Sequence, residues 1–302
     1  MTKHVPVLLP AVMRYLDVES GETALDCTLG SGGYAQAITT CLGDNGTFVG
    51  IDADKVAVET VQAAITDYEG SSCLQVANFR DIPTVLSACK VGQLDAVVFD
   101  LGFRSEQLEM QRGFSFAEEA PLEMTFKHSD DITDDDVTAY DVVNYWDVDT
   151  IKNILDGYGN ESHSEAITKG IEAARASQPI ETTGQLVEVI RKSVPSGYRN
   201  GRINPATRTF QALRIAVNDE VNALKEGLAA AVASLRKGGR IVVVSFHSIE
   251  DRIVKECFRD YSQSGLLDRL TDSPVTPERE EVAFNVRARS AKLRAAKKCS
   301  AV

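Results

Sequence analysis

The chain has 302 residues and a formal net charge of −12, with 43% hydrophobic and 25% charged residues. That is enough for one large domain or two small ones around a buried core. No apolar run approaches the ~20 residues that span a bilayer and no signal segment opens the chain, so a cytoplasmic protein without a membrane partner is expected, and the acidic total argues against a general nucleic-acid binder.

The first hundred residues alternate between strand and helix patterns. Glu22–Cys27, Gly46–Asp52 and Ser72–Val76 read as short strands. Gly33–Leu42, Lys55–Tyr68 and Ile82–Cys89 read as the helices between them. Asp95–Asp100 is a nearly continuous apolar strand, as expected when helices cover both faces of a parallel sheet. This alternation predicts an α/β fold with a mostly parallel, doubly wound sheet.

The strand pattern then stops. From about Arg104 to Asn204 the chain reads as loop and helix, with amphipathic segments at Ile151–Leu155, Glu165–Arg175 and Thr183–Ser193. A long helix over Pro205–Leu235, interrupted near Asn218, is expected to end in a turn at Gly238-Gly239. Arg240–Phe246 is another buried strand, Ile249–Tyr261 a helix and Glu280–Val286 a last strand. The expected organisation is a discontinuous α/β domain, 1–103 and 205–302, with a mainly helical domain inserted at 104–204.

The six cysteines form no CxxC pair and have no histidine at metal spacing. Scattered free thiols are expected, with no disulfide framework and no metal site. Charge is strongly patterned. Eight Asp and no Lys or Arg lie between His128 and Ile151, whereas Arg191–Arg214 and Arg287–Lys298 each hold six cations and no acid. Such runs are solvated faces or local polyanion sites.

The turn Leu29–Gly33 joins the first strand to the first of these helices and fits G-x-G-x-x-A from Gly30 to Ala35. Glycines let backbone approach a ligand closely, and the following helix start favours negative charge. A dinucleotide site shows the same pattern. Charge separates the two ligands. Asp26, Asp52 and Asp100 each end a parallel strand, where ligands bind in such sheets. Three carboxylates repel a pyrophosphate, but they suit the sulfonium and ammonium of S-adenosylmethionine, each pair being worth up to a few kcal/mol at ~4 Å. Asp52 is placed to meet ribose hydroxyls.

Five blocks then become recognisable: Asp100-Leu-Gly-Phe-Arg-Ser-Glu-Gln-Leu108, Arg112-Gly-Phe-Ser-Phe116, the stretch Asn204–Glu220, Ser245-Phe-His-Ser-Ile-Glu-Asp-Arg252, and Asn285-Val-Arg-Ala-Arg-Ser-Ala-Lys-Leu-Arg294. With the opening His4-Val-Pro-Val-Leu-Leu, they resemble the bacterial ribosomal RNA small-subunit methyltransferase H family over nearly the whole chain. The resemblance implies a class I, Rossmann-like methyltransferase with an inserted helical substrate domain. The implied reaction is methylation of N4 of a cytidine in 16S ribosomal RNA with S-adenosylmethionine as donor.

Carried over by motif, donor contacts fall on Gly32, Gly33, Tyr34, Asp52, Phe79, Asp100 and Gln107. Phe79 is either an adenine platform or a core aromatic. Asp100 is the candidate catalytic group beside the reacting atoms. His247 is either a substrate-pocket residue or a histidine satisfied by Glu250 or Asp251. RNA phosphate contacts are expected at Arg208, Arg214, Arg287, Arg289, Lys292 and Arg294, although Arg208 and Arg214 could equally brace a helix. The implied partner is small-subunit ribosomal RNA or the small subunit itself, with a homodimer as an allowed assembly.

Several positions depart from the family pattern. Gly-Gly-His is Gly32-Gly33-Tyr34, and Asp-Leu-Gly-Val-Ser-Ser-Pro-Gln carries Phe103, Arg104 and Glu106. Pro-Leu-Asp-Met-Arg is Pro121-Leu-Glu-Met-Thr125, and Tyr-Gly-Glu-Glu is Tyr158-Gly-Asn-Glu161. An active enzyme, a non-catalytic RNA-binding assembly factor of the same fold and, less compatibly, a dinucleotide enzyme are the readings left open.

Overall fold

The computed structural model describes residues 6–102, 112–116, 118–127, 132–133 and 135–299. The chain divides into two compact units, Met1–Phe103 with Val221–Val302, and Arg104–Glu220.

The first unit opens with α1 (Leu9–Leu16). There follow β1 (Thr23–Asp26), α2 (Gly33–Leu42), β2 (Thr47–Asp52), α3 (Lys55–Ala64), β3 (Ser71–Val76), a 3-10 turn at Phe79–Asp81, α4 (Ile82–Ala88) and β4 (Leu94–Asp100). The apolar residues of β4 are buried, as its composition requires. Asp54 caps α3 by accepting from the Val56 amide at 2.9 Å, satisfying one of the donors that every helix start leaves unpaired.

The second unit is helical. It contains α5 (Ala139–Tyr145), α6 (Val148–Gly159), α7 (Ser164–Arg175), α8 (Thr183–Ser193), the short α9 (Ser196–Arg199) and α10 (Ala206–Val217). Capping boxes start α5 at Thr138/Asp141 and α8 at Thr182/Gln185. Leu122, Met124, Val142, Ile151, Leu155 and Ile190 belong to its own core. Each such side chain contributes about 1.5–3 kcal/mol on burial. The domain boundary expected at 204/205 moves to Glu220/Val221. Ala206, Phe210, Ala212 and Leu213 of α10 are buried in the helical core, so that helix belongs to this unit.

From α11 (Glu220–Ser234) the chain runs through β5 (Leu235–Ser245), α12 (Ser248–Gln263), β6 (Leu267–Arg269), α13 (Arg279–Phe284), a 3-10 turn at Val286–Ser290 and β7 (Lys292–Lys298). The strands form one seven-stranded sheet in the order β3-β2-β1-β4-β5-β7-β6. Pairing is parallel from β3 to β5 and antiparallel at β5–β7 and β7–β6. The fold is thus α/β and mostly parallel, as the alternation predicts. Leu16, Ile38, Leu42, Phe48 and Val98 are fully buried members of the core on one face.

Three local expectations are corrected. Gly238-Gly239 does not end a helix but lies inside β5, where the register against β4 jumps between Leu94 and Ala96. Gly238 sits at φ 83°, a conformation that glycine adopts at no steric cost and that lets the strand bulge there. Glu280–Val286 is not a strand but α13 and the turn after it. Glu280 and Glu281 sit in the helix's first turn, where the dipole favours acids. The last strand is instead β7, whose central residues Leu293–Ala296 are buried between basic ends. Finally, Cys73 of β3 and Cys89 after α4 are joined as a disulfide rather than being free thiols.

Candidate donor site at the carboxyl ends of the parallel strands

Strands β2, β1 and β4 are neighbours, and each ends in an aspartate: Asp52, Asp26 and Asp100. The glycine turn leaves β1 beside them. Gly30 sits at φ 54° and Gly32 at φ 85°, both in the left-handed region. Asp52 Oδ2 accepts from the Gly30 amide at 3.0 Å, and the Leu29 amide donates to the Ile51 carbonyl at 3.2 Å. The turn is therefore fastened to the end of β2. Gly32 then caps α2, the helix that starts at Gly33.

Thr28 joins the other two aspartates, the side chain of Asp26 and the backbone of Asp100. Its amide donates to Asp26 Oδ1 at 3.0 Å, and its hydroxyl accepts from the Asp100 amide at 2.6 Å. Each aspartate retains one buried oxygen, Asp26 Oδ2 and Asp100 Oδ1, with no hydrogen-bond partner. An unpaired buried polar atom is costly, so these two oxygens lack a partner that the site would have to supply. Burial pushes the Asp26 carboxyl up to about 7, the Asp52 charge adding to it and the Thr28 amide opposing it. Burial also holds Asp100 well above the usual carboxylate range, reinforced by Asp26 and Glu250. Asp100 as a residue is half-exposed, but its Oδ1 is inaccessible to solvent, so burial governs that oxygen.

Tyr34 stands at the start of α2 and is buried. Its hydroxyl donates to the Val7 carbonyl. Pro6 covers Gly33 so closely that a Cβ there would lie 2.0 Å from Pro6 Cγ. The Leu8 amide reaches Glu281 Oε1 at 2.6 Å. The segment Pro6–Leu8 thus lies across the start of α2 and is fastened to α13.

Phe79, in the turn after β3, packs edge-on against Phe99 at 5.6 Å between centroids. A Cβ on Gly227 of α11 would come within 2.7 Å of its ring. The ring remains half-exposed, so it serves the core and presents a surface at once.

Glu250 satisfies only one nitrogen of His247, since the buried Nε2 has no hydrogen-bond partner. His247 caps α12, its Nδ1 lying 3.4 Å from the Glu250 amide and its Nε2 3.1 Å from Glu250 Oε1. The Glu250 carboxylate returns to the Phe246 and His247 amides at 2.8 and 3.2 Å.

The basic residues separate by burial. Arg294 is buried and its Nε binds Asp251 Oδ1 at 2.7 Å, while Lys292 Nζ meets Asp251 Oδ2 at 3.0 Å. An acid absent from their run in sequence is therefore present in space. Arg214 is only 7% exposed and its fork binds Glu220 at 2.8 and 2.9 Å. Both arginines are engaged within their own units, Arg214 in the bracing role, one of its two expected readings. Arg208 is half-exposed and Arg289 exposed. Gln107 and the Arg287 side chain lie outside the described residues. Thr28, which bridges the two aspartates, was not singled out from sequence; its only signal is its place between Asp26 and the glycines.

Residues 1–299 match the model of the MraW methylase family. A protein of Brevibacillus brevis called "Ribosomal RNA small subunit methyltransferase H" is 38% identical over 311 residues, covering 98% of each chain. Proteins of the same description from Sulfurihydrogenibium sp. and Paenibacillus sp. are each 38% identical, covering 97% and 99% of this chain and 98% and 100% of their own.

Proposed function

The chain belongs to the MraW methylase family, and from that premise we propose that it transfers the methyl group of S-adenosylmethionine to the exocyclic N4 amine of a cytidine in small-subunit ribosomal RNA. The observation that carries this reading is the pair of buried, unpartnered carboxylate oxygens on Asp26 and Asp100. A cation satisfies them, whereas a pyrophosphate does not. The residues present therefore fit this donor.

Asp26 and Asp100 would hold its positive charge, and the α2 start would face its carboxylate, since helix starts favour anions. Asp52, fixed by the Gly30 amide, would take ribose hydroxyls, and Phe79 would meet the adenine. Once bound, the donor supplies a methyl group activated on a sulfonium sulfur. The residues contribute mainly position, which in favourable cases is worth ~7–11 kcal/mol of barrier. Asp100 Oδ1 would accept a hydrogen of the target amine and so turn its lone pair out of conjugation with the ring. No strong base is required beforehand, because the methylated amine becomes acidic.

The test is methyl incorporation from labelled donor into unmethylated small subunits, with the modified nucleotide mapped. Label at a cytidine N4 is the expected result. Donor binding by calorimetry without label in any RNA would leave the assembly-factor reading in its place.

A further inference from the structure

The helical unit carries a second feature that the donor site does not use. Between Glu188 and Asp219 the sequence has six cations and no acid. Two of the six are committed within the unit, Lys192 to Glu188 at 2.7 Å and Arg214 to Glu220. The connection between α9 and α10 bears another, Arg202, in the open. Asn200, Gly201, Arg202 and Ile203 are all exposed, and Ile203 shows 57% of its surface.

This exposed tip is not loose. On its near side, the Tyr198 hydroxyl donates to Glu161 Oε2 at 2.7 Å. Glu161 is itself buried, and its Oε1 accepts from the His163 amide at 2.8 Å. The Tyr198 ring also packs edge-on against His163 at 4.6 Å. Burial and the Glu161 contact push the Tyr198 phenol up to about 12, so the anchoring proton stays in place at neutral pH. The Arg199 fork reaches back to the Val194 carbonyl at 3.2 Å. On the far side, Asn204 lies just before α10, its Oδ1 accepting from the Ala206 amide at 2.9 Å and its carbonyl from the Thr207 amide at 3.0 Å. Arg208 stands one turn further on, 3.4 Å from the Asn160 carbonyl.

A short segment fixed at both ends loses little entropy on binding. It presents a cation, an apolar side chain and a side-chain amide within four residues. In a run of six cations without acids, a nucleic-acid strand matches this mixture: phosphate for the cation, a base face for the apolar chain and a base edge for the amide. We infer that the tip Asn200–Ile203 is an RNA-contact site of the helical unit, with Arg202 on a phosphate and Ile203 against an unstacked base of the substrate. This rests on the reading that small-subunit ribosomal RNA is the substrate.

The experiment uses the full chain with a small-subunit ribosomal RNA transcript. Affinity is measured between about 50 and 200 mM salt for wild type, Arg202→Ala, Ile203→Ser and the control Lys169→Ala, an exposed cation on α7. Arg202→Ala is expected to weaken binding about three- to tenfold and to reduce the salt slope by about one. Ile203→Ser is expected to weaken binding by a similar factor at unchanged slope. Lys169→Ala, donor affinity and thermal unfolding should stay at wild-type values. Wild-type affinity and slope in both tip variants, or equal losses in Lys169→Ala, overturn the inference and leave the ribosomal RNA reading intact. Failure of the wild-type chain to prefer this transcript over an unrelated RNA overturns both.

Discussion

The hydroxyl of Tyr34 donates to the backbone carbonyl of Val7, so the first turn of α2 and the N-terminal segment are held by one buried bond. Tyr34→Phe keeps the ring and leaves the carbonyl unpaired. The expected loss is about 1 kcal/mol, a fall of about 2–4 °C in the melting temperature of a domain this size. Thermal unfolding checks this, and calorimetry should show weaker donor binding in the same variant. An unchanged melting temperature would mean that this bond does not hold the segment.

Donor binding should depend on pH through Asp26. Its carboxyl is raised from 3.8 to about 7, so it is mostly neutral at pH 6 and mostly ionised at pH 8. A cationic ligand gains its partner across that interval, and the donor association constant should rise about tenfold before levelling. Asp26→Asn should flatten the profile. For the empty protein the sign is opposite. The stability associated with this raised group is complete below pH 3.8 and is lost as pH rises through about 7, so ligand-free protein should melt lower at pH 8 than at pH 5 as far as this group governs it.

The Cys73–Cys89 bridge closes a loop across 16 residues of sequence, spanning the Phe79 turn and α4. A cross-link of this length removes about 3 kcal/mol of freedom from the unfolded chain. Cys73→Ser, or treatment of wild type with a thiol reductant, should lower the unfolding midpoint accordingly. A reductant effect that persists in Cys73→Ser would rule out this bridge as its source.

Asp251 sits between Arg294 and Lys292. Burial alone would raise its carboxyl, but the two cations outweigh burial and hold it below the usual range. Stability from this cluster is present above about pH 4 and is lost as acid protonates the carboxylate. Asp251→Ala strands the buried Arg294 charge and should cost about 3–5 kcal/mol. Arg294→Met should cost less, since Lys292 still neutralises Asp251. Urea unfolding of the two variants gives the ranking, and a reversed ranking would show that the stranded arginine is not the dominant penalty.

Local pattern carried far where burial is complete on both sides. The apolar run that ends at Asp100 is a central strand, and α2 occupies Gly33–Leu42 as its periodicity predicts. The same local signals fail where long-range packing decides. Leu293–Ala296 is a buried strand centre, yet the cations around it read as a polyanion site, because Asp251 lies 41 and 43 residues away in sequence. Val282, Phe284 and Val286 alternate as a strand would, but Phe284 is 94% and Val286 68% exposed. Alternation signals a strand only when one face is covered. The expected domain break falls just before Pro205, but the helix that starts there buries its apolar face in the helical core. At the candidate site the three aspartates are legible because strand ends gather side chains at one edge, whereas the Thr28 bridge depends on a hydrogen bond that no spacing rule reports.

The central strand β4 pairs with β1 on one side and with β5 on the other, yet residues 101–234 are made between β4 and β5. During synthesis β4 therefore emerges with one apolar edge unclaimed, and the contiguous helical unit is complete before that edge can be closed. Non-local pairing of this kind is slow and exposes strand edges in the meantime. Order of translation and order of assembly thus differ in this chain: the inserted unit can finish as a nascent polypeptide, while the sheet waits for the strands between Leu235 and Lys298.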